Sequence, residues 1–517
     1  MRVMACVFHA WLPMLGTGIR NGNRNRSRNP SRHNHLPTEV PLPASPQVLV
    51  LGGGLAGCEC AFQLAQAGLR VRLHEMKPHK RTAAQTSDGL CELVCSNSLR
   101  SDNPLNAIGL LHEELRRLGS LVLHTADDNR VPAGDALAVD RDLFGAAMEA
   151  RIASHPNIEL VRGEVQQLPL DFPGPIVVAT GPLTSDALAA DIVRVAGVER
   201  LSFYDAISPI VSGESIDMSV AFLASRWGKG DTADYVNCPM DKAQYTAFVQ
   251  AIVDADKLPL EDFEKGVHFF PGCLPIEVIA ASGPKSLRFG PMKPTGLDDP
   301  RTGRWAYAIV QLRTENRHKT AYNLVGFQTR MRQGEQRRVL SMIPGLEHAE
   351  FLRYGSVHRN TFLDSPRLLD TAMRLKSLPQ LRFAGQVSGV EGYVESTASG
   401  LWVGQALAAE LRGQPLTPPP PTTALGALLQ HVTDATAPRF QPSNVHFGLF
   451  EPLPAAAEPG KRRPGKPERK AAMTARARQE LSTWAVLQGL PVAEAPAPAP
   501  DAEATEPAPE SADPTCG

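Results

Sequence analysis

The stretch Gln47–Met76, QVLVLGGGLAGCECAFQLAQAGLRVRLHEM, admits few folds. Four apolar residues, Val48–Leu51, run straight into Gly52-x-Gly54-x-x-Gly57. Leu55–Ala67 has helix-forming composition, and Val71–His74 begins a second strand that ends at Glu75. Strand, glycine turn, helix and strand in this order open a doubly wound α/β sheet made to hold a dinucleotide. Gly52 is expected to make the tight turn, Gly54 to let a pyrophosphate approach the backbone, and Gly57 to let helix and strand pack closely. Gly53, Leu55 and Ala56 complete the loop and the first helical turn. The helix N-terminus then faces the phosphates, and Glu75 is placed for a ribose hydroxyl. A glycine loop that merely packs leaves that acid unexplained.

Two later segments favour FAD over NAD. PGPIVVATGPLTS (Pro173–Ser185) reads as a buried strand, Ile176–Ala179, running into Thr180 and Gly181. LRFAGQVSGVEGYVESTASGLWVGQALA reads as a strand, Leu381–Ala384, then a glycine-rich turn through Gly385 and Gln386, then a helix. Its helix N-terminus is expected against the flavin or its ribityl chain; an ordinary connection from strand to helix is the competing reading. Two such units far apart imply a Rossmann-like FAD-binding domain split by an α/β insertion. The boundaries read as a first FAD-binding segment at 47–202, an insertion at 203–355 and a second FAD-binding segment at 356–453. The ends differ in composition. Residues 1–46 carry RNGNRNRSRNPSRHNH, and residues 454–517 are first basic, then acidic and rich in Pro and Ala. Both ends are expected to lack the apolar content for a fold.

The cysteines ask for chemistry. The eight are scattered, with no paired C-x-x-C and no H-E-x-x-H, so no metal site is expected and the thiols read as reduced, in a cytoplasmic setting. No apolar run approaches the roughly 20 residues a membrane span needs. Cys95 nevertheless sits in ELVCSNSLRS, among polar loop residues rather than the apolar neighbours of a packed thiol.

From GGGLAGCECAFQLAQAG through CELVCSNSLRS, VPAGDALAVDR, ATGPLTS, FYDAISPIV, DYVNCPM, GCLPIEVIA, LRFGPMKPTGL, VQLR, NLVGFQT and EQRRVLSMIPGLEHAEFLRYGSVHRNTF to FAGQVSGVEGYVES, the motifs in this order closely resemble the folate- and FAD-dependent tRNA uracil-5-methyltransferases. The resemblance runs from about Val48 to about Leu449. It implies transfer of a one-carbon unit from 5,10-methylenetetrahydrofolate to C5 of a T-loop uridine in tRNA, with FAD reduced by NAD(P)H. Uracil C5 is a poor nucleophile until a group adds to C6, a task suited to a thiolate, and a base must then take the C5 proton. The family's two functional cysteines fall on Cys95 and Cys273. Cys273 is expected as the C6 nucleophile and Cys95 as the proton-removing or flavin-side partner; the reverse assignment stays open. Cys238 reads as a packed core thiol, as do Cys58 and Cys60. Pro271 departs from the family, which usually carries an acid there.

Nine Arg or Lys between Arg301 and Arg338 are opposed within that span by Glu315 and Glu335 alone. This stripe suits RNA phosphates, with Tyr307, Tyr322 and Phe327 as candidate base-stacking aromatics. A solvated surface over core aromatics is the alternative. His358, Arg359 and Asn360 are expected to line the folate or flavin pocket, or else to form a capped turn. Two other functions stay open at this level: the same chemistry on a ribosomal RNA uridine, and an NAD(P)H-dependent flavin oxidoreductase of a small molecule. The choice of NADH or NADPH and the oligomeric state are not legible.

Overall fold

Two six-stranded sheets, drawn from different stretches of the chain, organise the structure. The computed structural model describes residues 47–82, 84–197, 201–228, 233–258, 274–316, 318–436, 440, 442–453 and 465–493, with backbone alone for 201–207, 356–361 and 466.

The first sheet runs, in spatial order, Arg374–Leu375, Leu378–Phe383, Ile176–Val178, Val48–Leu51, Val71–Glu75, Ile158–Arg162. Neighbours are parallel except the first pair, an antiparallel hairpin. Val48–Leu51 and Ile176–Val178 are buried at every residue, as parallel strands covered on both faces must be. The α/β class read from the sequence is the class observed. The strand placed at Leu381–Ala384 begins earlier, at Leu378, and ends at Phe383. Helix Leu55–Gln66 follows the glycine loop and packs along helix Tyr393–Leu411. Their approach is close: a Cβ on Gly400 would fall 2.3 Å from the Ala56 carbonyl oxygen. The contacts Ala56 to Gly400 and Cys60 to Gly404 make the helices parallel, so both N-termini lie at the same edge of the sheet.

The second sheet is antiparallel throughout and lies in sequence between Ile176–Val178 and Leu378–Phe383. Its order is Phe222–Leu223, Tyr235–Met240, Ala308–Thr314, Ala321–Leu324, Ile210–Ser212, Phe351–Arg353. Helices Lys242–Asp254 and Gln333–Leu340 add Tyr245, Phe248, Ile252, Val339 and Leu340 to its core. The chain enters and leaves this region along a two-stranded ribbon, Leu201–Ile207 paired antiparallel with Ser356–Phe362. A third, three-stranded sheet joins Ser98–Ser101, Ala136–Val139 and Arg130–Val131.

The expectation that the whole tail beyond residue 453 lacks structure is corrected. Lys466–Leu487 is a 22-residue helix. Ala477, Leu481, Trp484 and Ala485 join the core of the first sheet, and Trp484 meets Trp402 with ring centroids 6.4 Å apart. Arg478 pairs with Glu113 at 2.7 Å, and Arg117 donates to Ser482 Oγ at 2.6 Å. Apolar burial outweighs the segment's high overall charge because the apolar residues share one helical face. The leader, 1–46, lies outside the described residues, as do 454–464 and 494–517.

Candidate active site and family

A cavity of about 350 Å³ opens where the two helix N-termini converge. Gly52, Gly53, Gly54, Leu55 and Ala56 line it from the first helix, and Thr180 and Gly181 from the end of the neighbouring strand. Gly385, Gln386 and Tyr393 line it from the second helix's approach. The glycine loop is held from behind. Glu75, nearly buried, accepts from the Gly53 amide at 2.8 Å with one carboxylate oxygen and from the Lys77 amide at 3.0 Å with the other. That grip fixes the loop's amides before any ligand arrives. A Cβ on Gly54 would meet nothing within 4 Å and would project into open space, whereas one on Gly57 would sit 1.8 Å from the Gly52 carbonyl oxygen. Gly54 therefore keeps the cradle clear, and Gly57, which does not line the cavity, keeps the turn closed.

Cys95, partly exposed, lines the same cavity. Its amide and that of Ser96 donate to the Tyr393 hydroxyl at 2.7 and 3.3 Å. Burial, with the neighbouring Cys95 adding to it, pushes the Tyr393 phenol well above its ordinary range, so the hydroxyl keeps its own proton. Tyr393 opens its helix, whose positive end points at the same space. Arg353 lies close enough to Cys95 for their charges to interact; burial lowers its pKa, and Cys95 is among the groups that raise it.

The loop after Cys95 is seated on the second sheet. Asn97, fully buried, donates to the Val139 and Thr314 carbonyls at 2.9 and 3.0 Å. Arg313, from the central strand of the second sheet, donates to Asn97 Oδ1 at 3.1 Å and Ser96 Oγ at 2.5 Å. Close by, Arg141 pairs with Glu315 at 2.6 Å. The thiol loop therefore ties helix Tyr393–Leu411 and the third sheet to the second sheet, and its position depends on all three.

The profile of the family described as Glucose inhibited division protein A matches residues 47–415. The chain is 57% identical over 439 residues to the methylenetetrahydrofolate–tRNA-(uracil-5-)-methyltransferase TrmFO of Rhizorhabdus wittichii, covering 85% of this chain and 98% of that one. Against the enzyme of the same name from Myxococcus xanthus, identity is 57% over 454 residues, 87% of this chain and 97% of that one. The chain belongs to the TrmFO family. Among solved structures, the two crystal forms of Aquifex aeolicus GidA share its fold, with TM-scores of 0.57 and 0.59 at 16% and 15% identity. The matches cover 85% and 84% of this chain, and 73% and 76% of theirs.

In this TrmFO-family chain the structure gathers most of the residues that the sequence singled out, with one thiol beyond reach. Cys273 and Pro271 lie outside the described residues. Cys238 is fully buried in the core of the second sheet, and burial pushes its thiol far up, so it is a packing residue. Cys58 and Cys60 are fully buried as well. His358, Arg359 and Asn360 fall on the ribbon strand Ser356–Phe362, opposite Asp205, Tyr204 and Phe203, where the backbone alone is described.

The basic stripe needs correction at several positions. Phe327 and Tyr322 are core residues, and Arg313 is buried in the seam. Arg301, Arg330, Arg332 and Arg338 are paired with Asp299, Glu277, Asp256 and Glu335. Tyr307 stacks beneath Arg288, whose guanidinium lies 4.6 Å from its ring centre. Sequence reasoning missed Tyr393 and Arg313 as neighbours of Cys95. Both stood in recognisable motifs, GYVES and VQLR, but nothing local tied them to the thiol.

Proposed function

We propose that the protein transfers the one-carbon unit of 5,10-methylenetetrahydrofolate to C5 of a T-loop uridine in tRNA, using FAD reduced by NAD(P)H, in the cytoplasm. The observation that carries this reading is the opening of Cys95 onto the same cavity as the glycine loop, a thiol and a dinucleotide cradle lining one space. The names of the curated relatives support the donor and the base.

The residues present fit FAD. Gly54, Leu55 and Ala56 offer helix-terminal amides to a pyrophosphate, Gly54 leaves the space open, and Glu75 sets the loop through the Gly53 amide. Thr180, Gly181, Gly385 and Gln386 would border the rest of the cofactor. When bound, FAD would supply the reducing equivalents and take part in the carbon transfer.

The protein's own residues do the remaining work. The Cys273 thiolate adds to uracil C6, which turns C5 into a nucleophile; once carbon is attached, Cys95 takes the C5 proton, and the C6–S bond breaks to free both base and thiolate. Tyr393 holds the Cys95 loop by accepting two of its amides.

Incubation with labelled methylenetetrahydrofolate, NAD(P)H and unmodified tRNA, followed by nucleoside mapping, tests the reaction. Label at C5 of a T-loop uridine is expected; label elsewhere in the tRNA, or none, overturns it, and a parallel incubation with unmodified ribosomal RNA that alone takes up label would move the reaction there. On denaturing gels, Cys95→Ala should leave RNA covalently trapped while Cys273→Ala traps none. The opposite pattern would exchange the two roles.

A further inference from the structure

Short elements inserted among the strands of the second sheet carry aromatic side chains that no core claims. Trp227 is 61% exposed, Trp305 51% and Phe289 68%. Burying such rings is the ordinary outcome of folding, so three left exposed demand a reason. Trp227 and Trp305 meet edge to face, centroids 6.3 Å apart.

Their presentation is built. The Trp227 backbone is left-handed, φ +60, a conformation costly for a bulky residue. Its amide donates to the Gly296 carbonyl at 2.9 Å, and a Cβ on Gly296 would fall 2.6 Å from the indole, so glycine there leaves the ring its seat. Arg226, next in the chain, donates to the Lys293 carbonyl and to Gln311 Oε1, each at 2.9 Å, and also bonds the Thr295 carbonyl. Trp305 lies on the short strand Arg304–Trp305, paired with Asp298–Asp299. Arg288 lies over the rings of both Phe289 and Tyr307.

The surrounding charge is mostly basic. Lys285, Lys293 and Arg304 are exposed beside the aromatics, opposed by exposed Asp298. Flat rings interleaved with cations complement unpaired nucleic acid, in which bases stack on aromatics and phosphates meet Lys or Arg. None of the three rings lines the cavity onto which Cys95 opens.

We propose that Trp227, Trp305 and Phe289 form a stacking platform for unpaired nucleobases of the RNA substrate, away from the uridine that reacts. This rests on the function proposed above. The test measures binding of an unmodified tRNA transcript at fixed salt to wild type, to the double variant W227A/W305A and to W305F, with a fully paired hairpin RNA as control.

The dissociation constant for tRNA is expected to rise about tenfold or more in the double variant. The turnover number at saturating tRNA, the flavin content and hairpin binding should stay within about twofold, and W305F should keep most of the affinity. Unchanged tRNA affinity in the double variant overturns the platform. If sedimentation then shows a dimer lost, the patch is an interface between copies. An equal loss for tRNA and hairpin also overturns it, because stacking needs unpaired bases. Wild type that binds tRNA beside unaltered variants sinks the platform alone; wild type that neither binds nor methylates tRNA sinks the proposed function with it.

Discussion

Gly54 and Gly57 are three residues apart and do opposite work. Gly54 keeps a volume empty for a ligand; Gly57 keeps protein against protein. Gly54→Val should fold with a melting temperature near that of wild type and yet retain less than about a tenth of the flavin, since its side chain enters the cradle rather than the core. Gly57→Val should unfold or lose several kcal/mol, because overpacking against backbone has nowhere to relax. Purification, absorbance at the flavin band and thermal melts separate the two; a flavin-replete Gly54→Val would displace the phosphate loop from its proposed role. These residues were legible in the sequence because the glycine motif is local: turn, helix start and strand end lie within thirty residues. Tyr393 and Arg313 were not. Their bonds to the Cys95 loop join residues 298 and 217 positions apart, and no pattern of composition or period reports such a contact.

At the scale of elements, the C-terminal helix shows how composition can mask periodicity. KPERKAAMTARARQELSTWAVL is charged overall, yet Met473, Ala477, Leu481 and Trp484 recur at helical spacing and face the core. Read residue by residue, that stripe was available; read as a basic tail, it vanished. Trp484→Ala should destabilise the fold by about 3–5 kcal/mol, the usual consequence of emptying a buried aromatic site. Chemical denaturation measures it, and a change under about 1 kcal/mol would mean that the helix adds little to the core. The stripe of Arg and Lys after residue 300 misled in the opposite sense. Arg301, Arg330, Arg332 and Arg338 are paired and two of its three named aromatics are interior, while the exposed rings, Trp227, Phe289 and Trp305, sit on elements of two to four residues, too short to show a period.

At the scale of the molecule, the second and third sheets meet through a seam of buried polar groups around Asn97 and Arg313. Arg313→Met would keep the bulk and strip the donors from Ser96 Oγ and Asn97 Oδ1. A charged hydrogen bond lost in a buried site costs about 1.5–3 kcal/mol. Amide exchange at residues 95–97 should accelerate and methylation should fall, with flavin content unchanged; Arg313→Lys, which reaches one partner at a time, should restore some of the rate. Exchange as slow as in wild type would show that the seam is held by Asn97 alone.

The insertion of one sheet into the other also sets a timetable. The strand Ile176–Val178 leaves the ribosome long before Leu378–Phe383, the neighbour that completes its ladder. At about 5–20 residues per second, the roughly 200 residues between them take some 10–40 s to make. Through that interval a fully apolar strand has one unpaired edge, the kind of edge that seeks other chains. Nascent protein is thus most exposed to aggregation while its second sheet is being translated, and slow codons in that stretch would lengthen the risk.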